Sequence, residues 1–298
     1  MCGIVGLFLK DKSLEPHLGR LLSEMLISLS DRGPDSAGIA IYGSGRSKHS
    51  KITIQSPQPD ADFAGLGIEL GEKIDAKVSL IVKSTHAVLD VPTAKLELAR
   101  TAITTLRPRV RIMGVGDVIE IFKEVGLPAD VVKRFDLTHM SGTHGIGHTR
   151  MATESAVTTM GAHPFSTGPD ECLVHNGSLS NHNNIRRELK REGMTFETEN
   201  DTEVAAAYLS NKISHGKNLG EALEQSLSDL DGFFTFVVGT KNGFGVVRDP
   251  IACKPAVMAE TDQYVAFGSE YRALANLPGI EDAKVWEPEP AKVYFWEH

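Results

Sequence analysis

What this 298-residue chain has little of narrows its function first. It has three cysteines, Cys2, Cys172 and Cys253, too widely spaced for a disulfide framework, a zinc ribbon or a four-cysteine iron–sulfur cluster. A reducing, cytoplasmic setting is the expectation. It lacks any long apolar run, since the longest after the start, residues 233–238, is far too short to span a bilayer. The apolar opening, residues 2–9, has no basic segment before it and meets Lys10-Asp11-Lys12 at once, so it reads as a buried strand rather than a secretion signal. Positive charge is not in excess either. A net charge of −8 disfavours nucleic acid and anionic membrane as partners. No H-E-x-x-H is present, and the glycines between His144 and His148 undercut the helix that two metal ligands at that spacing need, so no metal site is expected. Repeats and low-complexity tracts are absent.

What remains is an ordinary globular composition, 41% apolar and 23% charged, long enough to bury a sizeable core. After the first strand, Leu14, Leu18, Leu21, Leu22, Met25, Leu26 and Leu29 fall on one helical face, with Ser13 placed to cap and Arg32-Gly33-Pro34 ending the run. Residues 38–42 read as a strand. From about 44 to 139 the texture changes, with glycine and proline breaks around apolar stretches at 78–91 and 110–115 and helical patterns at 94–106 and 117–125. This predicts an inserted α+β subdomain. Further on, "GHTRMAT" at 147–153 reads as a strand, since Gly145 and Gly147 speak against a helix, as do residues 172–175, followed by a helix from near Asn184. Asn200 and Glu203 stand at capping-box spacing, residues 219–230 form a helical pattern, and 233–239 with 244–248 make a hairpin around Asn242-Gly243. Two more strands follow at 256–259 and 264–267.

Four places carry candidate chemistry. Removal of the initiator methionine, which a small second residue permits, would leave Cys2 with a thiol and a free α-amine, a nucleophile with its own base. The plain alternative is a small apolar residue in a buried strand. Asn176-Gly177 can aim a side-chain amide and a backbone N–H at one spot as an oxyanion hole, or can simply make a turn. Arg150, among small and apolar neighbours, suits a carboxylate in bidentate fashion, or an internal salt bridge. Asp201 can receive an ammonium group, or merely start a helix. Together the last two would clamp a free amino acid by both α-substituents. Six of the 11 histidines crowd into residues 139–182 and read as hydrogen-bonding supports.

Taken in order, "MCGIVG", "RGPDSAG", "GHTRMAT", "AHPF", "VHNG" and "NDTEV" closely resemble the class II glutamine amidotransferases, whose glutaminase domains are N-terminal-nucleophile hydrolases. "RDPIACKP" and "GSEYRAL" look like later elements of the same domains. The resemblance covers residues 2–298 apart from the 44–139 insertion. It implies a four-layer αββα sandwich within an α+β fold. By it, Cys2 matches the nucleophile attacking the glutamine side-chain amide, Asn176 and Gly177 the oxyanion donors, Arg150 the α-carboxylate binder and Asp201 the α-ammonium partner. Thr153 and His163 match positions lining or supporting the pocket, and Arg32 and Gly33 the loop beside the nucleophile. Two departures stand out: Met151 and Glu154 replace the Trp and His of the glucosamine-phosphate-synthase pattern, and Asn200 stands where many members have threonine.

These glutaminases feed ammonia to a synthase, and no segment of this sequence reads as one, so the acceptor site is expected on another chain. The sequence is most similar to stand-alone glutaminase-like subunits of glutamate-synthase-type complexes, N-methylglutamate synthase among them. That implies no cofactor in this chain, with a flavin and an iron–sulfur cluster on a partner subunit, and glutamine or a related amino acid as substrate. Two other classes fit parts of the pattern: an N-terminal-nucleophile amidase acting on another amide, and a noncatalytic glutamine-binding regulatory subunit. The insertion is expected to contact the synthase subunit, with the basic run at 107–111 as either a docking stripe or a solvated strand face.

Overall fold

Alternation along the first strand sets the architecture. In β1 (Gly3–Leu9), Val5, Leu7 and Leu9 point one way, Ile4 and Phe8 the other, and all five are buried. A strand apolar on both faces has to be covered on both. The computed structural model describes residues 2–152 and 156–298. After β1 come β2 (Ser36–Tyr42), β3 (His49–Gln55), β4 (Ser79–Lys83), β5 (His86–Pro92), β6 (Arg111–Gly116), β7 (Ile119–Val125) and β8 (His144–Arg150). The chain continues through β9 (Cys172–Leu179), β10 (Gly232–Gly239), β11 (Gly243–Arg248), β12 (Val257–Glu260), β13 (Tyr264–Gly268), β14 (Lys284–Trp286) and β15 (Val293–Glu297). The helices are α1 (Leu18–Ser28), α2 (Pro59–Asp62), α3 (Leu66–Ile74), α4 (Leu96–Leu106), α5 (Pro128–Phe135), α6 (His182–Arg191), α7 (Asp201–Ser214) and α8 (Leu219–Asp229).

A seven-stranded sheet in the order β14-β12-β13-β1-β8-β2-β7 faces a four-stranded sheet in the order β15-β11-β10-β9. Ile4, Phe8, Ile146, Val174, Val237, Phe244 and Phe267 interdigitate between them. The outer face of the larger sheet is covered by α1 and α5, through Leu22, Leu26, Val131 and Phe135. The outer face of the smaller is covered by α7 and α8, through Val204, Leu209, Leu223, Phe234 and Phe236. The layers run α, β, β, α, as the resemblance implied. Within the stretch 44–139, β3 to β6 form a separate sheet in the order β4-β5-β3-β6, carrying α3 and α4 on a core of Ile52, Leu66, Leu70, Leu89 and Ile103. β7, by contrast, belongs to the main sandwich, paired along β2.

Several local expectations are corrected. Residues 117–125 carry a helical pattern but fold as β7, because Ile119 and Ile121 fill the space between the sheets while Phe122 fills the α-helical side. Burial on both faces erases the strand's two-residue period. Asp11, not Ser13, caps the first helical segment, accepting from the Ser13 N–H at 2.8 Å. Asn176-Gly177 makes no turn. β9 runs through it to Leu179, and α6 begins at His182 rather than near Asn184. Asn200 caps α7 through the Thr202 N–H, but the Glu203 carboxylate turns to the N–H groups of Glu197 and Thr198, so the capping box is half formed. A full one stands at Asn218 and Glu221 on α8.

Candidate functional site around Cys2

Cys2 lies at the mouth between the sheets, one residue before β1, and is partly exposed. Its thiol is 3.9 Å from the Met151 carbonyl. Two donors hold its own carbonyl. Arg32 gives its Nε–H at 2.9 Å from the larger sheet's side, and Asn176 gives its side-chain amide at 3.3 Å from β9 of the smaller sheet. Arg32 is in turn held by the Glu270 carboxylate at 2.5 Å, and that bond keeps Glu270 below the usual carboxylate range. Just before it, Ser269 exchanges two bonds with Ile4, each 2.9 Å, and locks the start of β1.

Gly33 explains how the loop after α1 can cross β8. A Cβ there would lie 2.3 Å from the Thr149 carbonyl carbon and 2.5 Å from the Arg150 nitrogen. No side chain fits. Two residues on, Asp35 accepts from the Ala152 N–H at 2.7 Å and donates its own N–H to the Arg150 carbonyl at 3.1 Å, so this loop fixes the end of β8. Arg150, the last residue of β8, is buried, with Nη1 donating to the Ala156 carbonyl at 3.3 Å.

Within β9, Asn176 shares the inter-sheet face with Val174 and reaches Cys2, while Gly177 follows with φ +147°. A Cβ at Gly177 would stand 2.0 Å from the Phe233 carbonyl oxygen, so both backbone and space require glycine. Asp201 opens α7, yet its carboxylate serves β9, accepting from the Leu179 N–H at 2.9 Å. His175 Nδ1 lies 3.8 Å from the other oxygen. Behind it, the Thr202 hydroxyl joins His175 at 3.0 Å to His163 at 2.8 Å, and His163 stacks on His148 at 4.0 Å. Burial lowers all three histidines from the usual imidazole range, His163 well below it and His148 to about 3, which favours the neutral rings in this tier. His163 thus lies buried behind Asp201, joined to it through Thr202 and His175.

The fold therefore brings Cys2, Arg32 and Asn176 into contact, sets Gly33 against Thr149 and Arg150, and places Asp201 two residues past Gly177 along β9. Thr153 lies outside the described residues. Sequence reading passed over Asp35, Thr202, Ser269 and Glu270 as site residues. All four sit inside quoted motifs, Asp35 in "RGPDSAG", Thr202 in "NDTEV" and Ser269 and Glu270 in "GSEYRAL", but none was given a role. Among the described residues no group of three or more His, Cys, Asp or Glu is arranged to hold a metal, and no helix is long and apolar enough to cross a membrane. The basic run is internally engaged: Arg107 grips Glu69 with bonds of 2.9 and 2.6 Å, Arg109 meets Asp62 at 2.7 Å, and Arg111 meets neighbouring carbonyls.

Two facing sheets between helical layers, with a cysteine at the mouth, give the class. The same fold occurs in the glutamine phosphoribosylpyrophosphate amidotransferase from B. subtilis, at TM-score 0.63 and 20% identity over 99% of this chain and 47% of that one. The fold is that of class II glutamine amidotransferases. Residues 148–276 match the model of the glutamine amidotransferase domain. Over its full length the chain is 70% identical to the glutamine amidotransferase-like protein GlxB of Rhizobium meliloti (strain 1021), covering 99% of that protein. It is also 36% identical to a putative glutamine amidotransferase of Methanothermobacter thermautotrophicus, with 99% of each chain covered. The chain belongs to the glutamine amidotransferase family.

Proposed function

We propose that the chain hydrolyses the side-chain amide of glutamine through a Cys2 thioester and passes the ammonia to a separate synthase subunit. One observation carries this reading: Asn176 and Arg32, from opposite sides of the cleft, both donate to the carbonyl of Cys2. Residue 2 is thereby pinned beside Asn176 and Gly177 of β9. The Cys2 α-amine, once free, takes the thiol proton, and sulfur attacks the amide carbon. An amide nitrogen carries two N–H groups, so Asn176 keeps one on Cys2 and turns the other, with the Gly177 N–H, to the oxyanion. Arg150 takes the α-carboxylate and Asp201 the α-ammonium. The protonated α-amine returns its proton to the leaving ammonia, and water hydrolyses the thioester to glutamate.

The synthase partner draws on the relatives: GlxB and the Methanothermobacter protein are matched over 99% of their length, whereas 47% of the phosphoribosylpyrophosphate amidotransferase shares this fold. The partner carries the flavin and iron–sulfur cluster of a glutamate-synthase-like or N-methylglutamate synthase complex. The extra sheet contacts it, a role to which exposed Ile81 and Val82 on edge strand β4 are suited. The test is ammonia release from glutamine by the full chain. Saturable release that Cys2→Ala abolishes supports the reading. Release from other amides but not from glutamine, or glutamine binding without turnover, contradicts it.

A further inference from the structure

Strand β7 carries two buried, oppositely charged neighbours, Lys123 and Glu124, exposed by 3% and 6%. Successive side chains of a strand point to opposite faces, so these two do not neutralise each other. Each instead grips the same passing segment, residues 159–164. Lys123 enters the space between the sheets and donates to the carbonyls of Ala162 at 2.8 Å, Pro164 at 3.1 Å and Met160 at 3.4 Å, its ammonium 4.4 Å from the Phe165 ring centre. Gly38 on β2 makes room, since a Cβ there would lie 2.3 Å from the His163 carbonyl oxygen and 2.4 Å from Lys123 Cβ. On the other face, one Glu124 oxygen accepts from the Thr159 hydroxyl and from the Val125 N–H at 3.0 Å. Its second oxygen accepts from Thr85 at 2.8 Å and lies 3.6 Å from Arg134.

The gripped segment is the one that backs Arg150. Ala156 accepts from the guanidinium, and a Cβ on Gly161 would come 3.4 Å from Arg150 Nη1. A buried ammonium whose bonded acceptors are all carbonyls is costly, and here every one of them lies in residues 160–164. We propose that Lys123 and Glu124 are positioning residues for Arg150. They hold segment 156–164 from both sides of β7 so that the guanidinium is aimed at the substrate carboxylate. Thr85, in the turn between β4 and β5, ties the extra sheet to the same carboxylate and hence to the clamp. This inference rests on the reading of Arg150 as the glutamine α-carboxylate binder.

The experiment follows covalent labelling of Cys2 in the full chain by 6-diazo-5-oxo-L-norleucine, which needs the clamp, and by iodoacetamide, which needs only the thiol. Lys123→Met and Thr159→Val should each raise the half-saturating analogue concentration about tenfold or more, with little change in maximal labelling rate or in iodoacetamide labelling. Thr159→Ser, which keeps the hydroxyl, should restore wild-type saturation. Thr85→Val should shift saturation in the same direction by a smaller factor, and wild-type behaviour there would overturn the tie to the extra sheet. A wild-type chain that the analogue fails to label overturns the glutaminase reading and this inference with it. Labelling of the wild type matched by Lys123→Met and Thr159→Val overturns this inference alone, as does an equal loss of iodoacetamide labelling.

Discussion

In the αββα sandwich, polar side chains are taken out of water around one mouth and tied down one by one, whereas the extra sheet rests on an apolar cluster, with buried Thr53, Asp62 and His86 scattered around it and much of its charge at the rim. Arg32, Arg150, Asn176, His163 and His175 are all buried near the mouth of the sandwich. The extra sheet packs Ile52, Ile54, Leu66, Leu70, Leu89 and Ile103 together, and exposed Arg100 pairs with Glu97 at its surface. Burial of polar groups is costly, and a fold keeps it where geometry has to be held for chemistry. The sandwich holds a site. The extra sheet has only to stand, and to present a surface.

The largest effect expected of breaking that contrast comes from Asn176→Ala. Losing one oxyanion donor should lower kcat for glutamine roughly 100- to 1000-fold, about 3 kcal/mol, with the melting temperature little changed. Near-wild-type turnover would remove Asn176 from the chemistry. Gly177→Ala should damage both properties. It forces a Cβ against the Phe233 carbonyl at a φ that alanine resists, so a loss of at least about 2 kcal/mol in denaturant unfolding should accompany lost turnover. On the other side of the comparison, Ile103→Ala empties a fully buried site in the extra sheet. About 2–4 kcal/mol of local stability should go, seen as faster hydrogen exchange in β3, β5 and β6, while Cys2 labelling persists.

Acid should act more gently, on both regions. Burial holds His144 and His148 in the sandwich, and His86 at the start of β5 in the extra sheet, at about 3, well below the ordinary 6.5. The folded chain keeps these rings neutral while the unfolded chain protonates them. Stability is therefore complete above about pH 6.5 and falls as pH drops toward 3. Urea midpoints measured from pH 7.5 downward should decline below 6.5, with amides of β8 and of β5 near His86 losing protection ahead of the rest of the extra sheet.

Much of the sandwich was legible in the sequence because its signals are local. β1, α1, β2, β8 and the β10–β11 hairpin follow from periodicity and turn residues, and Cys2, Asn176, Gly177, Arg150 and Asp201 sit in short motifs. β7 was misread because both its faces are buried, and β9 was cut short because Asn-Gly signals a turn unless a neighbouring strand holds it extended. Neither local pattern shows the neighbour. Lys123, Glu124 and Thr202 were passed over for the same reason, since each matters through partners 27 to 41 residues away in the chain. Lys123 and Glu124 have the sequence surroundings of an ordinary element, and the motif around Thr202 says nothing of which histidines its hydroxyl joins.

The central claim is that the sulfur of residue 2 does the attacking. Intact mass and peptide mapping of the full chain after reaction with 6-diazo-5-oxo-L-norleucine test it most directly. The account predicts a single adduct on a peptide that begins at Cys2 and carries no Met1, formed more slowly when glutamine is present. An adduct on Cys172 or Cys253, or an active chain that still bears Met1, would contradict it.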